Sequence, residues 1–324
     1  MTIDKRIFFY SSIQSSVLQY AARDMAHGFR CIGWDVEMFR ERWPGEQPIG
    51  ARALAETALW FRPSIIFCVD GVRGQNPELW PLFSSYVCWA QDALTQLLDP
   101  KMAQAMLPHD LVLTSFPGLA QRFIDKTFKP EQIRHLSVGV NNDLFAPTKG
   151  YPDEWTVGFP ANIGHPGHGK PQERYDYYAE PVRWLIEAGV KIKLWGEGWQ
   201  NPEFGQYWCG KVRNGPELAD AYNECSAILH VNCDTNQHQR VYEGVATGRV
   251  VLYRRLPNDN HPDGIEAANL GAVRPFSTKE ELIVLCKDLP SCGFSLDPQF
   301  RTRPHDYKER AKAVVRMVKE VTGA

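Results

Sequence analysis

Two side chains in the segment 222–255 have the types and the spacing to bind a charged, hydroxyl-bearing ligand. Arg240 and Glu243 lie three residues apart in a stretch that is predicted to be helical, so they share one helical face near its amino end. A guanidinium binds phosphate oxygens, and a carboxylate accepts hydrogen bonds from a diol. A nucleotide sugar, which carries both a diphosphate and ribose hydroxyls, fits this pair.

The residues around this pair predict the order strand, loop, helix, strand. An apolar run at 227–231 precedes a polar loop at 232–239, and a second apolar run at 250–253 follows the helix. The loop therefore follows the carboxyl end of a strand, which is where open α/β sheets bind their ligands.

A glycine-rich segment at 164–170 is a second candidate for phosphate binding. Gly164 begins it, Lys170 ends it, and its glycines allow backbone N–H groups to approach a phosphate closely. It matches neither the Walker motif nor the dinucleotide fingerprint. A plain flexible turn is the alternative interpretation.

Arg174 and Gly196 complete the candidate donor-binding set. Arg174 lies in the helix that follows the glycine-rich segment, and we expect it to clamp the diphosphate together with Arg240. A surface salt bridge is the alternative for either arginine. Gly196 ends a strand and either borders the nucleotide base or forms only a tight turn.

Two aspartates at strand ends are candidates for a catalytic base. Asp92 ends a buried strand and could deprotonate an acceptor hydroxyl, or it could cap the following helix. Asp70 ends the preceding strand and is the second choice, with a turn as its structural alternative.

The histidines do not form a recognisable metal site. His230, Cys233 and His238 match no common zinc spacing and lack a fourth ligand, and His165 with His168 has no acid or Cys at ligand distance in sequence. We therefore expect no bound metal.

The composition is that of a globular protein large enough for two domains. The chain has 324 residues, of which 44% are hydrophobic and 23% are charged. A net charge of −2 argues against a protein whose main role is to coat nucleic acid. The sequence has no run of roughly 18 apolar residues that would span a bilayer. We expect a cytoplasmic protein without a signal peptide.

Strands and helices alternate through both halves of the chain, which implies parallel pairing through right-handed crossovers. A stretch at 140–153, rich in Pro, Gly and Asn, separates the halves and predicts a linker. The last predicted helix, at 305–320, has an apolar face that needs a groove to cover it. Strands are predicted in the first half at 6–10, 31–36, 65–70, 86–90, 111–114 and 135–138.

Five segments, in this order, resemble the group 1 glycosyltransferases of the GT-B fold, in particular the branch typified by the spore-maturation protein of bacilli. The similarity extends over nearly the whole chain, and the turn G-V-x-x-x-x-F-x-P at 139–147 is its more specific element. The matching segments are YVCWAQD (86–92), DLVLTSFPGLAQRF with GVNNDLFAP (110–147), TVGFPANIG with Arg174 (156–174), QRVYEGVATGRVVL (239–252) and HDYKERA (305–311).

This resemblance implies an α/β protein with two Rossmann-like domains that face a central cleft. It implies an acceptor domain at 1–147, a nucleotide-sugar donor domain at 154–300, and a helix at 304–324 that crosses back to the first domain. The implied activity is glycosyl transfer (EC 2.4), with a UDP-sugar as the expected co-substrate and no other cofactor. Asp92 and Arg240 would be catalytic, and Gly164, Lys170, Arg174, Gly196, Arg240 and Glu243 would bind the donor.

Three questions stay open at this stage. Many retaining members carry a second acid eight residues before the ribose-binding Glu, but this chain has Thr235 there with Asp234 beside it, so the stereochemistry is undetermined. No Asp-x-Asp motif occurs, which favours a metal-independent enzyme. The acceptor could be a saccharide, a small molecule, a protein or modified DNA.

Two alternatives to a general glycosyltransferase remain. One is a phage-type enzyme that glycosylates hydroxymethylated pyrimidines in DNA, with basic residues of 301–312 on the backbone phosphates. The other is a sugar-nucleotide-binding protein that has lost its chemistry.

Overall fold

The computed structural model describes residues 4–11, 16–40, 51–91, 97–163, 171–232, 238–256, 270–289 and 302–323. The chain divides into two compact units. The first comprises Met1–Gly139 together with His305–Ala324, and the second comprises Val140–Pro304.

The first unit is built on a parallel six-stranded sheet with the strand order β2-β1-β3-β4-β5-β6. Its described helices before the second unit are α1 (Ser16–Cys31), α2 (Ala51–Phe61), α3 (Pro100–Gln104) and α4 (Pro117–Ile124). Its strands are β1 (Arg6–Ser11), β2 (Asp35–Arg40), β3 (Ile65–Val69), β4 (Ser85–Ala90), β5 (Leu111–Thr114) and β6 (Ile133–His135).

The second unit has a parallel five-stranded sheet with the order β11-β10-β9-β7-β8. Its described helices are α5 (Pro171–Glu187), α6 (Pro216–Asn223), α7 (Gln239–Ala246) and α8 (Lys279–Asp288). Its strands are β7 (Thr156–Pro160), β8 (Lys191–Trp195), β9 (Ala227–His230), β10 (Val250–Arg254) and β11 (Val273–Phe276).

The central strands of both sheets are buried along their full length. Every residue of β3, β4, β7 and β9 is buried. Such strands read as continuous apolar runs rather than alternating ones, because helices cover both faces of a parallel sheet. The predicted α/β class with two parallel sheets is therefore confirmed.

The last helix, α9 (Tyr307–Thr322), belongs to the first unit and packs on α1. It buries Tyr307, Ala311 and Val314 on one face. Gly28 of α1 makes this approach possible, because a Cβ there would lie 2.3 Å from the carbonyl oxygen of Tyr307. Among the helices in the described part of the chain, none is both long and apolar enough to cross a bilayer.

The predicted strand at 31–36 is wrong. Helix α1 continues to Cys31, and Gly33 then adopts a left-handed φ of 77° in the turn that follows. The N–H of Trp34 returns to the carbonyl of Phe29 in this turn, so the strand starts only at Asp35. The β-prone residues before Asp35 are therefore used to end a helix.

The predicted linker at 140–153 is part of the second unit and is hydrogen-bonded within it. The side chain of Asn223 accepts from the N–H of Thr148 at 3.0 Å. Arg249, which is buried, donates to the carbonyl of Lys149 at 2.8 Å. Thr148, Lys149 and Gly150 therefore have hydrogen-bond partners elsewhere in the second unit.

Candidate functional site

The first turn of α7 is capped by a histidine. His238 precedes the helix, and its Nδ1 accepts a hydrogen bond from the backbone N–H of Arg240 at 3.2 Å. An imidazole nitrogen that accepts cannot carry the proton, so the neutral ring has its hydrogen on Nε2. The cap thus leaves one N–H donor at the other end of the ring.

Arg174 and Arg240 both act electrostatically on this histidine. Burial lowers the pKa of His238 well below its usual value, and the charge of Arg240, the neighbouring His230 and the charge of Arg174 lower it further. The structure therefore brings together the two arginines that the sequence predicted to act as a pair. They come from α5 and α7, which follow β7 and β9 at the carboxyl edge of the sheet.

Neither arginine is neutralised within the described part of the chain. The Arg174 guanidinium lies over the ring of Tyr178, 5.3 Å from its centroid, and its buried Nη1 has no hydrogen-bond partner there. No ion pair links Arg174 or Arg240 to a carboxylate among the described residues. Two cations that act on the same ring, and that form no ion pair with a carboxylate among the described residues, attract an anion.

His230, at the end of β9, lies beside the cap. Its ring is 5.3 Å from that of His238 and is stacked on Tyr253. Burial, with the charge of Arg240, lowers the pKa of His230 to about 3, so this ring is also neutral at physiological pH. Among the described residues its buried Nε2 has no hydrogen-bond partner.

Glu243 is turned away from solvent. Its side chain is only 1% exposed, and the hydroxyl of Tyr222 in α6 donates to its Oε2 at 3.1 Å. Burial, and then the nearby charge of Glu243, raises the pKa of Tyr222, whereas Arg240 lowers it. Arg240 and Glu243 are therefore electrostatic neighbours, but the arginine is partly exposed and the carboxylate is buried.

Gly196 closes the turn after β8. Its φ of 116° is unfavourable for other residues, and a Cβ would lie 2.6 Å from the carbonyl oxygen of Ala161. Asn162 ties the same loops together by accepting from the N–H of Glu197 at 2.8 Å. Gly196 also lines an open pocket of ≈ 610 Å³. The other lining residues are Asn162, Glu197, Lys211, Val212, Arg213 and Glu217.

Three predicted site residues lie outside the described residues: Asp92, Gly164 and Lys170. The alternative candidate for the catalytic base, Asp70, lies within the described residues. It is buried with a left-handed φ of 52°, and its Oδ1 accepts from the N–H of Gln91 at 2.7 Å. Asp70 thus ties the end of β3 to the end of β4.

Two residues of this site were not predicted from the sequence as parts of it. His238 was considered only as a metal ligand with Cys233, which lies outside the described residues. Its position just before the predicted helix was a usable signal, although histidine is not a common cap. Tyr222 gave no local signal, because its partner Glu243 lies 21 residues further along the chain.

Comparison with known proteins gives a partial family match. A family model described as glycosyl transferase-like matches residues 177–286, about a third of the chain, including α7 with Arg240 and Glu243. No curated protein matches this sequence.

Solved structures match over nearly the full length. A glycosyltransferase from Rickettsia africae ESF-5 has 11% identity over 98% of each chain and a TM-score of 0.69. HepE of Anabaena in complex with UDP has 12% identity, 98% of each chain and a TM-score of 0.55. WaaG, a glycosyltransferase involved in lipopolysaccharide biosynthesis, has 14% identity over 98% of this chain and 100% of its own, and a TM-score of 0.59. Residues 177–286 are thus a glycosyl transferase-like segment, in a chain that has the two-domain α/β fold of the GT-B glycosyltransferases.

Proposed function

We propose that this protein transfers a sugar from a nucleotide diphosphate sugar to a hydroxyl acceptor. One observation carries the proposal. Arg174 and Arg240, without a carboxylate partner among the described residues, both act on the neutral His238 at the carboxyl edge of the second sheet. This arrangement offers two cations and a helix amino terminus to a diphosphate.

The proposed chemistry uses these cations on the leaving group. The bond between the anomeric carbon and the diphosphate oxygen breaks, and the nucleotide leaves with additional negative charge. Arg174 and Arg240 would stabilise that charge, which is the main electrostatic requirement of the step. The acceptor hydroxyl forms the new bond and gives its proton to a base, for which Asp92 remains our candidate.

We expect a UDP-sugar as the donor, with its ribose bound by Glu243. HepE binds UDP on the same fold, which supports this choice of nucleotide. The pocket at Gly196 has a volume in the range of small-molecule sites. The glycine-rich segment between Gly164 and Lys170 would contact the phosphates. We further propose that the chain belongs to the spore-maturation-protein branch of these enzymes.

We also propose that the enzyme works without a metal and in the cytoplasm. The sequence lacks an Asp-x-Asp pair to hold a divalent ion on the diphosphate, and the arginines would take that role. Activity that survives EDTA would support metal independence, and activity restored only by Mg²⁺ or Mn²⁺ would contradict it.

The basic residues of the last helix do not favour a DNA acceptor. Arg310 donates to the Ser137 hydroxyl at 2.6 Å and also contacts His305. Lys312 pairs with Glu309. Arg310 is therefore already engaged within the first unit and is a poor candidate for a contact with a backbone phosphate, whereas the exposed pair of Lys312 is weak.

Ligand binding and turnover test the proposed function. We expect UDP, among a panel that includes GDP, ADP and dTDP, to raise the Tm of the protein, because a ligand that binds only the native state stabilises it. A panel of UDP-sugars should then give UDP release that depends on an acceptor. Binding without any turnover would support an inactive binding protein, and absence of binding to every nucleotide would contradict the proposal.

Arginine variants test the observation itself. Arg174→Ala and Arg240→Ala should each raise the Kd for UDP at least about tenfold, since a hydrogen bond to a charged group is worth about 1.5–3 kcal/mol. Arg183→Ala is the matched control. Arg183 lies on the same helix as Arg174 but pairs with Glu203. Equal Kd values in all three variants would remove the arginines from the site.

A further inference from the structure

We propose that His238 is a third diphosphate-binding residue, whose Nδ1 holds the first turn of α7 while its Nε2–H donates to a phosphate oxygen. This inference rests on the proposed function, because it adds a neutral donor to the site formed by Arg174 and Arg240. It assigns to His238 a role that neither the spacing of sequence motifs nor the family match provides.

The two nitrogens of the His238 ring have different roles. Nδ1 accepts from the Arg240 N–H, so it faces the start of α7. Nε2 lies on the other side of the five-membered ring and points away from that N–H. In the neutral tautomer that this hydrogen bond requires, Nε2 carries the hydrogen and can only donate. His238 is mostly but not fully buried, in contrast to His230, which is 2% exposed.

The charged groups around the His238 ring are cations. The groups that act on the ring are the cations Arg240 and Arg174 and the neutral His230. A protonated imidazole among two guanidiniums would be repelled, so the ring stays neutral and the cap stays intact. The described groups that act on this ring include no carboxylate, and the donors together call for an anionic ligand.

Two buried polar atoms near the His238 ring have no hydrogen-bond partner among the described residues. His230 is 2% exposed, its ring lies 5.3 Å from that of His238, and its Nε2 has no hydrogen-bond partner among the described residues. The Nη1 atom of Arg174 is also buried and also has no hydrogen-bond partner among the described residues. Buried polar atoms without partners are costly, and native proteins retain few of them outside functional sites.

Histidine is an unusual residue at the amino-terminal cap of a helix, and α7 has one there. Ser, Asp and Asn are preferred at this position, so a cap with no other role would rarely be a histidine. An Asp there would place a negative charge next to the bound phosphates. A Ser would cap the helix but would not extend as far from the backbone as the imidazole Nε2. A neutral histidine both caps the helix and offers a distant donor.

The test separates capping from ligand binding with one substitution. His238→Ser keeps a good cap and removes the Nε2–H. Titrations measure the Kd of the wild type and the variant for UDP, for inorganic pyrophosphate and for uridine, and the Tm is measured without ligand. His135→Ser, an exposed histidine in the first unit, is the matched control.

We expect His238→Ser to change Tm by less than about 3 °C and to raise the Kd for UDP and pyrophosphate about tenfold or more. The Kd for uridine should not change, and His135→Ser should behave as wild type. An unchanged Kd for UDP would overturn the inference, as would an equal loss for UDP and uridine, which would mean that His238 acts only through the fold. Failure of the wild type to bind any nucleotide would instead contradict the proposed function.

Discussion

The contact between Tyr222 and Glu243 orients the carboxylate that we propose as the ribose-binding group. The carboxylate is buried, and the tyrosine hydroxyl occupies its Oε2. A ribose diol would therefore meet a carboxylate whose orientation is already fixed from the other side. Orientation by a second residue is common where a binding group must be held within a few tenths of an ångström.

This leads to a prediction about ribose selectivity. Tyr222→Phe removes one hydroxyl and keeps the ring, so it should reduce the preference for UDP over 2′-deoxy-UDP while the Kd for 2′-deoxy-UDP stays near wild type. Glu243→Ala should raise the Kd for UDP more than tenfold and abolish the preference, because each hydrogen bond to the carboxylate is worth about 1.5–3 kcal/mol. Calorimetric titration with both nucleotides measures this. A preference that survives in Glu243→Ala would show that the ribose is bound elsewhere.

The limits of prediction are visible at single residues. The proximity of Arg240 and Glu243 followed from their spacing, because helical geometry is local. How deeply each of these two side chains is buried could not be predicted from the spacing. Glu243 is buried because α6 supplies Tyr222 against it, and that contact depends on how two helices pack. The cap at His238 was missed because histidine is rarely used for that purpose.

At the scale of the element, the boundary between β9 and α7 contains two neutral histidines. His230 is the last residue of β9, and His238 immediately precedes α7. The pKa of both is lowered, mainly by burial. This part of the second unit should therefore be sensitive to acid.

The sign of the effect follows from proton binding. The pKa of His230 is about 3 in the native state and about 6.5 in the unfolded chain. Well above pH 6.5 the ring is neutral in both states, so its titration does not affect stability. As the pH falls from 6.5 towards 3, only the unfolded state binds the proton, so the free energy of unfolding decreases. Between pH 6.5 and pH 5 the titration of His230 should lower the free energy of unfolding by about 2 kcal/mol.

A variant isolates this contribution. His230→Phe keeps an aromatic ring against Tyr253 but cannot titrate. We expect its free energy of unfolding, measured with urea at pH 7.5, 6 and 5, to decline less steeply than that of the wild type. Carboxylates contribute equally to both proteins and cancel in the difference. Parallel pH profiles would show that His230 is already protonated or exposed in the native state.

At the scale of the whole molecule, the alternation of strands and helices was sufficient to predict two parallel α/β units. That pattern is repeated along the chain and depends on local periodicity. The strand order within each sheet could not be predicted in this way, because nothing in β1 indicates that it lies between β2 and β3. The start of β2 was misplaced because the end of α1 depends on the turn at Gly33.

The position of α9 on α1 explains why the first unit needs both ends of the chain. Helix α9 supplies Tyr307, Ala311 and Val314 to the core of a unit whose sheet is complete by β6. The two helices approach each other at Gly28, where the backbone of Tyr307 occupies the space of a side chain. A methyl group at this position must therefore push α9 away or distort α1.

Gly28→Ala gives this packing a clear test, because two effects have opposite signs. Alanine favours a helix over glycine by about 1 kcal/mol, so the substitution would stabilise an exposed helix. Here overpacking should cost about 1–3 kcal/mol, which outweighs the gain or at least cancels it. Gly205→Ala, where a Cβ meets nothing within 4 Å, is the control and should stay within about 0.5 kcal/mol of wild type. Urea unfolding measures both. A Gly28→Ala protein that is more stable than wild type by about 1 kcal/mol would mean that α9 does not lie against α1 in solution.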